Sequence, residues 1–236
     1  MEVPSRTLLV VEDNRLLNQL YKNVCELAVY ELSKEGLRSK FTIKQAHTYM
    51  EASNILKSRQ ELDVMSVDLS LQDYAPNSKE RDQTIEKAID GIVLLKELRE
   101  NKRRTLAIVV SGEGLPSHSI DMLRKYRVLA YFEKSRLDLE RYKHALKAAL
   151  WYGEADHINR ALNQGAVVPD KLGVADVFWG KAIESTKKAG IDERNLPENL
   201  GASIESVRRA YTDLVAQLSI DYLDEQDLKE QAVGGK

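Results

Sequence analysis

Residues 1–150 alternate two spacings of apolar positions: short, nearly unbroken runs rich in β-formers, and longer stretches in which apolar residues recur about every 3.6 positions. Five runs read as strands: Thr7–Glu12, Phe41–Ala46, Leu62–Val67, Thr105–Val110 and Val128–Glu133. Several are apolar at almost every position, as strands are when both faces of the sheet are covered. Among the helical stretches the clearest is Asn14–Lys34, where Leu17, Leu20, Tyr21, Val24, Leu27, Ala28, Glu31 and Leu32 trace one largely apolar stripe. Asn14 suits its N-cap and Gly36 its stop. A last helix is expected after Ser135 to Asp138, whose spacing resembles a capping box, running through Leu146 to about Trp151. This alternation predicts an α/β fold, a doubly wound (βα)5 parallel five-stranded sheet. The polar stretch Gln72–Glu86, with Pro76 inside it, breaks the rhythm, being longer than the usual connection of about 2 to 6 residues.

Beyond residue 151 the pattern turns mainly helical, with Lys171–Lys188, Ser203–Asp221 and a short acidic stretch at 224–231 as candidates. A chain of 236 residues accommodates two units, here expected at 1–151 and 152–236. Charge separates them. Residues 1–150 hold 25 Lys+Arg against 22 Asp+Glu, whereas 151–236 hold 10 against 15, so the C-terminal segment is acidic. A helix-turn-helix can be traced over 195–214, with Gly201 at the turn and Arg208 and Arg209 as its basic pair. Pro197 interrupts the first helix of that motif, and an acidic segment lacks the footprint for a phosphate backbone. DNA is therefore disfavoured as a partner. A helical module for homodimerisation or protein docking is preferred, with Phe178, Trp179, Tyr211 and Leu218 as packing anchors or plain core.

No run of 18 apolar residues is present, which argues against a membrane span, and the N-terminus lacks signal-peptide character, so a cytoplasmic location is expected. The lone Cys25 falls near the apolar face of a helix and reads as a buried structural thiol. The four histidines show no metal-ligand spacing, and no glycine-rich phosphate loop occurs.

Polar residues close the predicted strands: Glu12 and Asp13 the first, Asp68 the third, Ser111 the fourth and Lys134 the fifth. In an open parallel sheet these carboxyl ends share one edge, where ligands bind. Three carboxylates gathered there repel one another unless a cation intervenes. Mg²⁺, a hard ion that takes one or two carboxylates and keeps waters, suits the set. One carboxylate oxygen then stays available as a nucleophile for phosphoryl transfer, Ser111 can hydrogen-bond the phosphoryl oxygens, and Lys134 can offset their charge.

These residues resemble the motifs of the receiver domains of two-component response regulators, a flavodoxin-like fold, over about residues 6 to 151. Leu8 to Asn14 is similar to the acidic first motif, Val67 to Ser70 to the phosphoacceptor motif, Val109 to Gly112 to the hydroxyl motif, and Tyr131 to Lys134 to the last. The resemblance implies Asp68 as phosphoacceptor, with Glu12, Asp13, Asp68 and the Ser70 carbonyl around Mg²⁺. It also implies Tyr131 as a rotamer switch and a histidine kinase or phosphotransfer protein as donor. Such a protein is a signalling phosphoacceptor rather than an enzyme, and the alternative within the same fold is a scaffold that acts without phosphorylation. Two departures stand out. Ser135 follows Lys134 where the family usually has proline, and the family's Asp-Gly appears as Asp90-Gly91, further from Asp68 than usual.

Overall fold

The computed structural model describes residues 5–37, 39–58, 61–71, 90–101, 104–112, 126–163 and 171–192. The strands are β1 (Ser5–Val11), β2 (Lys40–Ala46), β3 (Val64–Val67), β4 (Leu106–Ser111) and β5 (Val128–Glu133). Helices α1 (Arg15–Lys34), α2 (Tyr49–Lys57), α3 (Asp90–Asn101), α4 (Leu139–Asn163) and α5 (Lys171–Lys188) account for the helical periods. The crossover between β4 and β5 at 113–125, the polar stretch 72–86, the helix-turn-helix at 195–214, with Tyr211 in it, and the candidate helices at 203–221 (with Leu218) and 224–231 lie outside the described residues.

All strand pairs are parallel, and the sheet order is β2-β1-β3-β4-β5. This is the flavodoxin-like doubly wound order, whose switch point lies between β1 and β3. Alternate residues serve the two faces. Leu9, Val11, Met65, Val67, Ala107 and Val109 join the core beneath α2 and α3. On the other face α1 packs against α4, and Tyr142 of α4 donates its hydroxyl to Ser66 Oγ at 2.8 Å. With both faces covered, β1, β3 and β4 are buried at nearly every position, which explains their unbroken apolar runs.

Helix α1 starts as its sequence dictates: the Asn14 side chain accepts from the Leu16 and Leu17 amides at 3.0 and 3.2 Å. It ends in a Schellman motif, with Gly36 at φ +101°, the Leu37 amide bonded to Leu32 O and the Gly36 amide to Ser33 O. The buried stripe of α1 is rotated from the expected one. Asn18, Tyr21, Val24, Cys25, Ala28 and Leu32 are buried, whereas Leu20 and Leu27 are 37% and 45% exposed. Periodicity treats Asn18 as polar surface, but hydrogen bonds satisfy its amide inside. Cys25 is buried, as its place in the pattern suggests.

Helix α4 starts after Asp138 as expected, but its capping residue and its end differ from expectation. Ser135 sits in a 3₁₀ turn (Lys134–Arg136), and Asp138 caps the helix instead, accepting from the Glu140 and Arg141 amides. At its far end α4 continues to Asn163, past the expected end at about Trp151. Two aromatic pairs cement α5 to it: Trp151 stacks on Phe178 with centroids 5.1 Å apart, and Tyr152 tilts against Trp179 at 5.4 Å. Trp179 is 2% exposed, so it and Phe178 are core of this unit. The chain divides into two units, residues 1–198 and 199–236.

Candidate functional site

Each strand at the centre of the sheet delivers a polar residue to its carboxyl end. Glu12, directly after β1, is fully buried, Asp13 is half-buried, and Asp68, directly after β3, is 3% exposed. One oxygen from each of the three lies within 4.8 Å of the others. Ser111 ends β4 in a buried position and pairs in register with Glu133 at the end of β5. Lys134 follows, and its ammonium reaches back across the sheet edge to Asp68 Oδ2 at 2.6 Å and to Glu12 Oε1 at 3.0 Å. With Ser135 rather than a proline after it, Lys134 still lies at the site. Ser70 lies just past Asp68 and donates its amide to Asp68 Oδ1 at 3.1 Å. Tyr131 faces away from α1 and α4, half-buried against the core under α2 and α3.

The electrostatics follow from this burial. Loss of solvent pushes the Glu12 carboxyl up to about 7, against the hydrogen bond and charge of Lys134. Burial raises Asp68 as well, opposed by Lys134 and by the Ser70 amide. For Lys134, burial works against the charge, but the hydrogen bonds to Asp68 and Glu12 outweigh it and hold the ammonium above its usual value. One lysine thus serves two buried carboxylates. Lys134 Nζ also lies 2.7 Å from Glu12 Oε2, so its ammonium straddles both oxygens of that carboxylate. An acidic pocket in which three carboxylates offer an all-oxygen donor set within 4.8 Å of one another fits a hard divalent cation.

The raised Glu12 value sets a pH dependence. A carboxyl that titrates near 7 in the folded chain and near its ordinary 4.5 in the unfolded one binds an extra proton when folded between those values. Its stabilising contribution is fully present below 4.5 and lost as pH rises through 7, about 3 kcal/mol in all. Denaturant unfolding of the metal-free protein should therefore show stability falling towards alkaline pH, and Glu12→Gln should flatten the slope. Stability that rises over the same range would contradict this burial of a charged carboxyl.

Two contributors, Tyr21 and Asn18, are not singled out as site residues by sequence spacing. Tyr21 of α1 lies beneath the site, and burial together with the Glu12 charge pushes its phenol up to about 12. Asn18 of α1 hydrogen-bonds the backbone that carries Glu12. Gly91 opens α3 against the carboxyl end of β3: its amide donates to Leu69 O at 3.0 Å, and a Cβ there would stand 2.3 Å from Asp68 O and 2.4 Å from Leu69 Cα. Only glycine permits that approach, which gives the Asp90-Gly91 pair a physical reason. Gly91→Ala should cost about 1–3 kcal/mol through overpacking. It should also weaken divalent-cation binding at Asp68, and unchanged melting and cation affinity would show that the connection relaxes freely.

No family model and no curated protein matches the chain. Solved structures do. One is a CheY-like response regulator receiver domain protein from Methanospirillum hungatei JF-1, 17% identical, with 66% of this chain and 99% of that one covered and a TM-score of 0.46. Another is the N-terminal domain of a response regulator/sensory box/GGDEF protein from Carboxydothermus hydrogenoformans, 17% identical, with 64% and 98% covered and a TM-score of 0.44. A third is a response regulator protein from Burkholderia pseudomallei with a phosphorylated aspartic acid, a calcium ion and citrate, 16% identical, with 76% and 97% covered and a TM-score of 0.39. These are likenesses of chain path; the chemistry is read from the residues above. Among the described residues no helix is long and apolar enough to cross a membrane.

Proposed function

We propose that the chain is a response-regulator receiver protein that accepts a phosphoryl group on Asp68 and passes the change to its helical C-terminal part. The observation that carries this reading is the convergence of Glu12, Asp13, Asp68 and Lys134 at the switch point of a doubly wound sheet. A purely structural salt bridge needs one acid for one base, whereas here three carboxylates share a pocket with one lysine.

Asp68 is the nucleophile. One of its oxygens attacks the phosphorus of a phosphorylated histidine on a kinase or phosphotransfer protein, the P–N bond breaks, and the imidazole leaves with its electron pair. Glu12, Asp13 and Asp68, with the Ser70 carbonyl, would hold Mg²⁺, which supplies charge neutralisation for the phosphoryl oxygens. Lys134, already bonded to Asp68, exchanges part of that carboxylate contact for a phosphoryl oxygen. Ser111 offers its hydroxyl from the adjacent strand end. Tyr131, which pairs in register with Val109 of β4, is the residue whose packing would report the change.

A small phosphodonor such as acetyl phosphate tests the reaction without the cognate kinase. Incubation with Mg²⁺ should give one base-labile, hydroxylamine-sensitive phosphoryl group per chain, located on Asp68 by peptide mapping, and chelation should prevent it. Incorporation on a serine or threonine, or none in either condition, would overturn the assignment.

A further inference from the structure

We propose that Asn18 is a positioning residue that holds the Glu12–Asp13 turn in its cation-ready form before any cation arrives. The inference rests on the receiver reading for its purpose, but its geometry stands independently. Asn18 is fully buried in the first turns of α1, where an unpaired amide would be costly. Every polar atom of its side chain is used. The Nδ2 group donates to Glu12 O at 2.8 Å and to Ala46 O at 2.9 Å, and Oδ1 accepts from Gln45 Nε2 at 2.8 Å.

The two carbonyls belong to the ends of neighbouring strands, since Glu12 follows β1 and Ala46 closes β2. The Glu12 amide also donates to Ala46 O, at 3.1 Å. Asn18 therefore closes a small ring of hydrogen bonds around the residue that carries the buried carboxylate. Downstream, the Asn14 amide donates to both Glu12 Oε1 and Asp13 Oδ1, at 3.2 and 2.9 Å. The backbone is thus fixed on one side by Asn18 and the carboxylates on the other by the helix start.

The residue type is specific. Aspartate has no donors for the two carbonyls and would add a negative charge beside Glu12, leucine has the volume without the bonds, and glutamine is one methylene longer. Two acids that must present oxygens to one cation lose affinity when their backbone is free to move, because the ordering then has to be supplied at binding.

The test uses the full chain, with Mg²⁺ followed by calorimetry and amide hydrogen exchange followed in metal-free buffer. Asn18→Leu should weaken Mg²⁺ binding at least ~ten-fold and accelerate exchange of the Glu12 amide, and Gln45→Ala, a milder change one bond removed, should move both in the same direction by a smaller factor. Thr105→Val, which removes a buried hydrogen bond to Leu62 O at the opposite end of the sheet, provides the structural control: it should lower the melting temperature and leave Mg²⁺ affinity and Glu12 exchange unaltered. Unchanged Glu12 exchange in Asn18→Leu and Gln45→Ala would overturn the proposal, as would a Thr105→Val loss of affinity matching theirs. If the unsubstituted chain binds no Mg²⁺, the receiver reading falls, and Glu12 exchange alone then decides whether Asn18 fixes the turn.

Discussion

Asp68→Asn should abolish phosphoryl incorporation from any donor while leaving the sheet intact. The amide is close in size to the carboxyl but has no nucleophilic oxygen of comparable strength, so the expected loss is complete at the detection limit rather than partial. Folding survives because Lys134 retains Glu12 as its partner, and because burial of the Asp68 charge, which raises its pKa, is relieved. Intact-mass analysis before and after treatment with a phosphodonor, paired with a circular-dichroism melt, separates the two effects. Stoichiometric labelling of the variant would place the acceptor elsewhere in the chain.

The second large effect is on stability. Trp179→Ala removes a side chain that is 2% exposed and packed on Tyr152, and a deletion of this size in a core costs about 3–5 kcal/mol. Because α5 is anchored on α4, and Tyr142 of α4 hydrogen-bonds Ser66 in the sheet, the loss should lower the single transition of the whole unit. Near-ultraviolet circular dichroism and a far-ultraviolet melt should shift together. A melt in which the sheet keeps its parent midpoint while only a minor early phase appears would show that α5 is an independent appendage. A chain cut after residue 151 should behave worse still, since it ends α4 at Trp151, whose fully buried ring would lose its stacking partner Phe178.

The sheet and the site are legible in the sequence because both depend on strand ends. A strand covered on both faces must be apolar throughout, so the first polar residue after it marks its carboxyl end, and Glu12, Asp68 and Lys134 each occupy such a position. Asn14 and Gly36 are legible for a similar reason, since helix ends make local demands that few residues meet. Asn18 is not, because a periodicity count scores an amide as surface, and only the fold brings the carbonyls of Glu12 and Ala46 to it. The same scoring displaces the apolar stripe towards Leu20 and Leu27. Ser135 misleads as a capping residue because Asp138, three positions on, is better placed to meet the amides of the first turn. The length of α4 is set by a tie to the sheet: past Trp151, Glu154 is held by Arg6 of β1, which also bonds Asp63 and Ser39. A long-range ion pair of that kind leaves no mark on local spacing.

On the function proposed, the acidic pocket holds a phosphoryl group on Asp68 beside Mg²⁺. Beryllofluoride, which mimics an aspartyl phosphate, tests it most directly when titrated by calorimetry into the full chain with and without Mg²⁺. Saturable one-to-one binding that requires Mg²⁺ and disappears in both Asp68→Asn and Lys134→Ala is expected. Binding that persists in Asp68→Asn, or no binding to the unsubstituted protein in the presence of Mg²⁺, would contradict it.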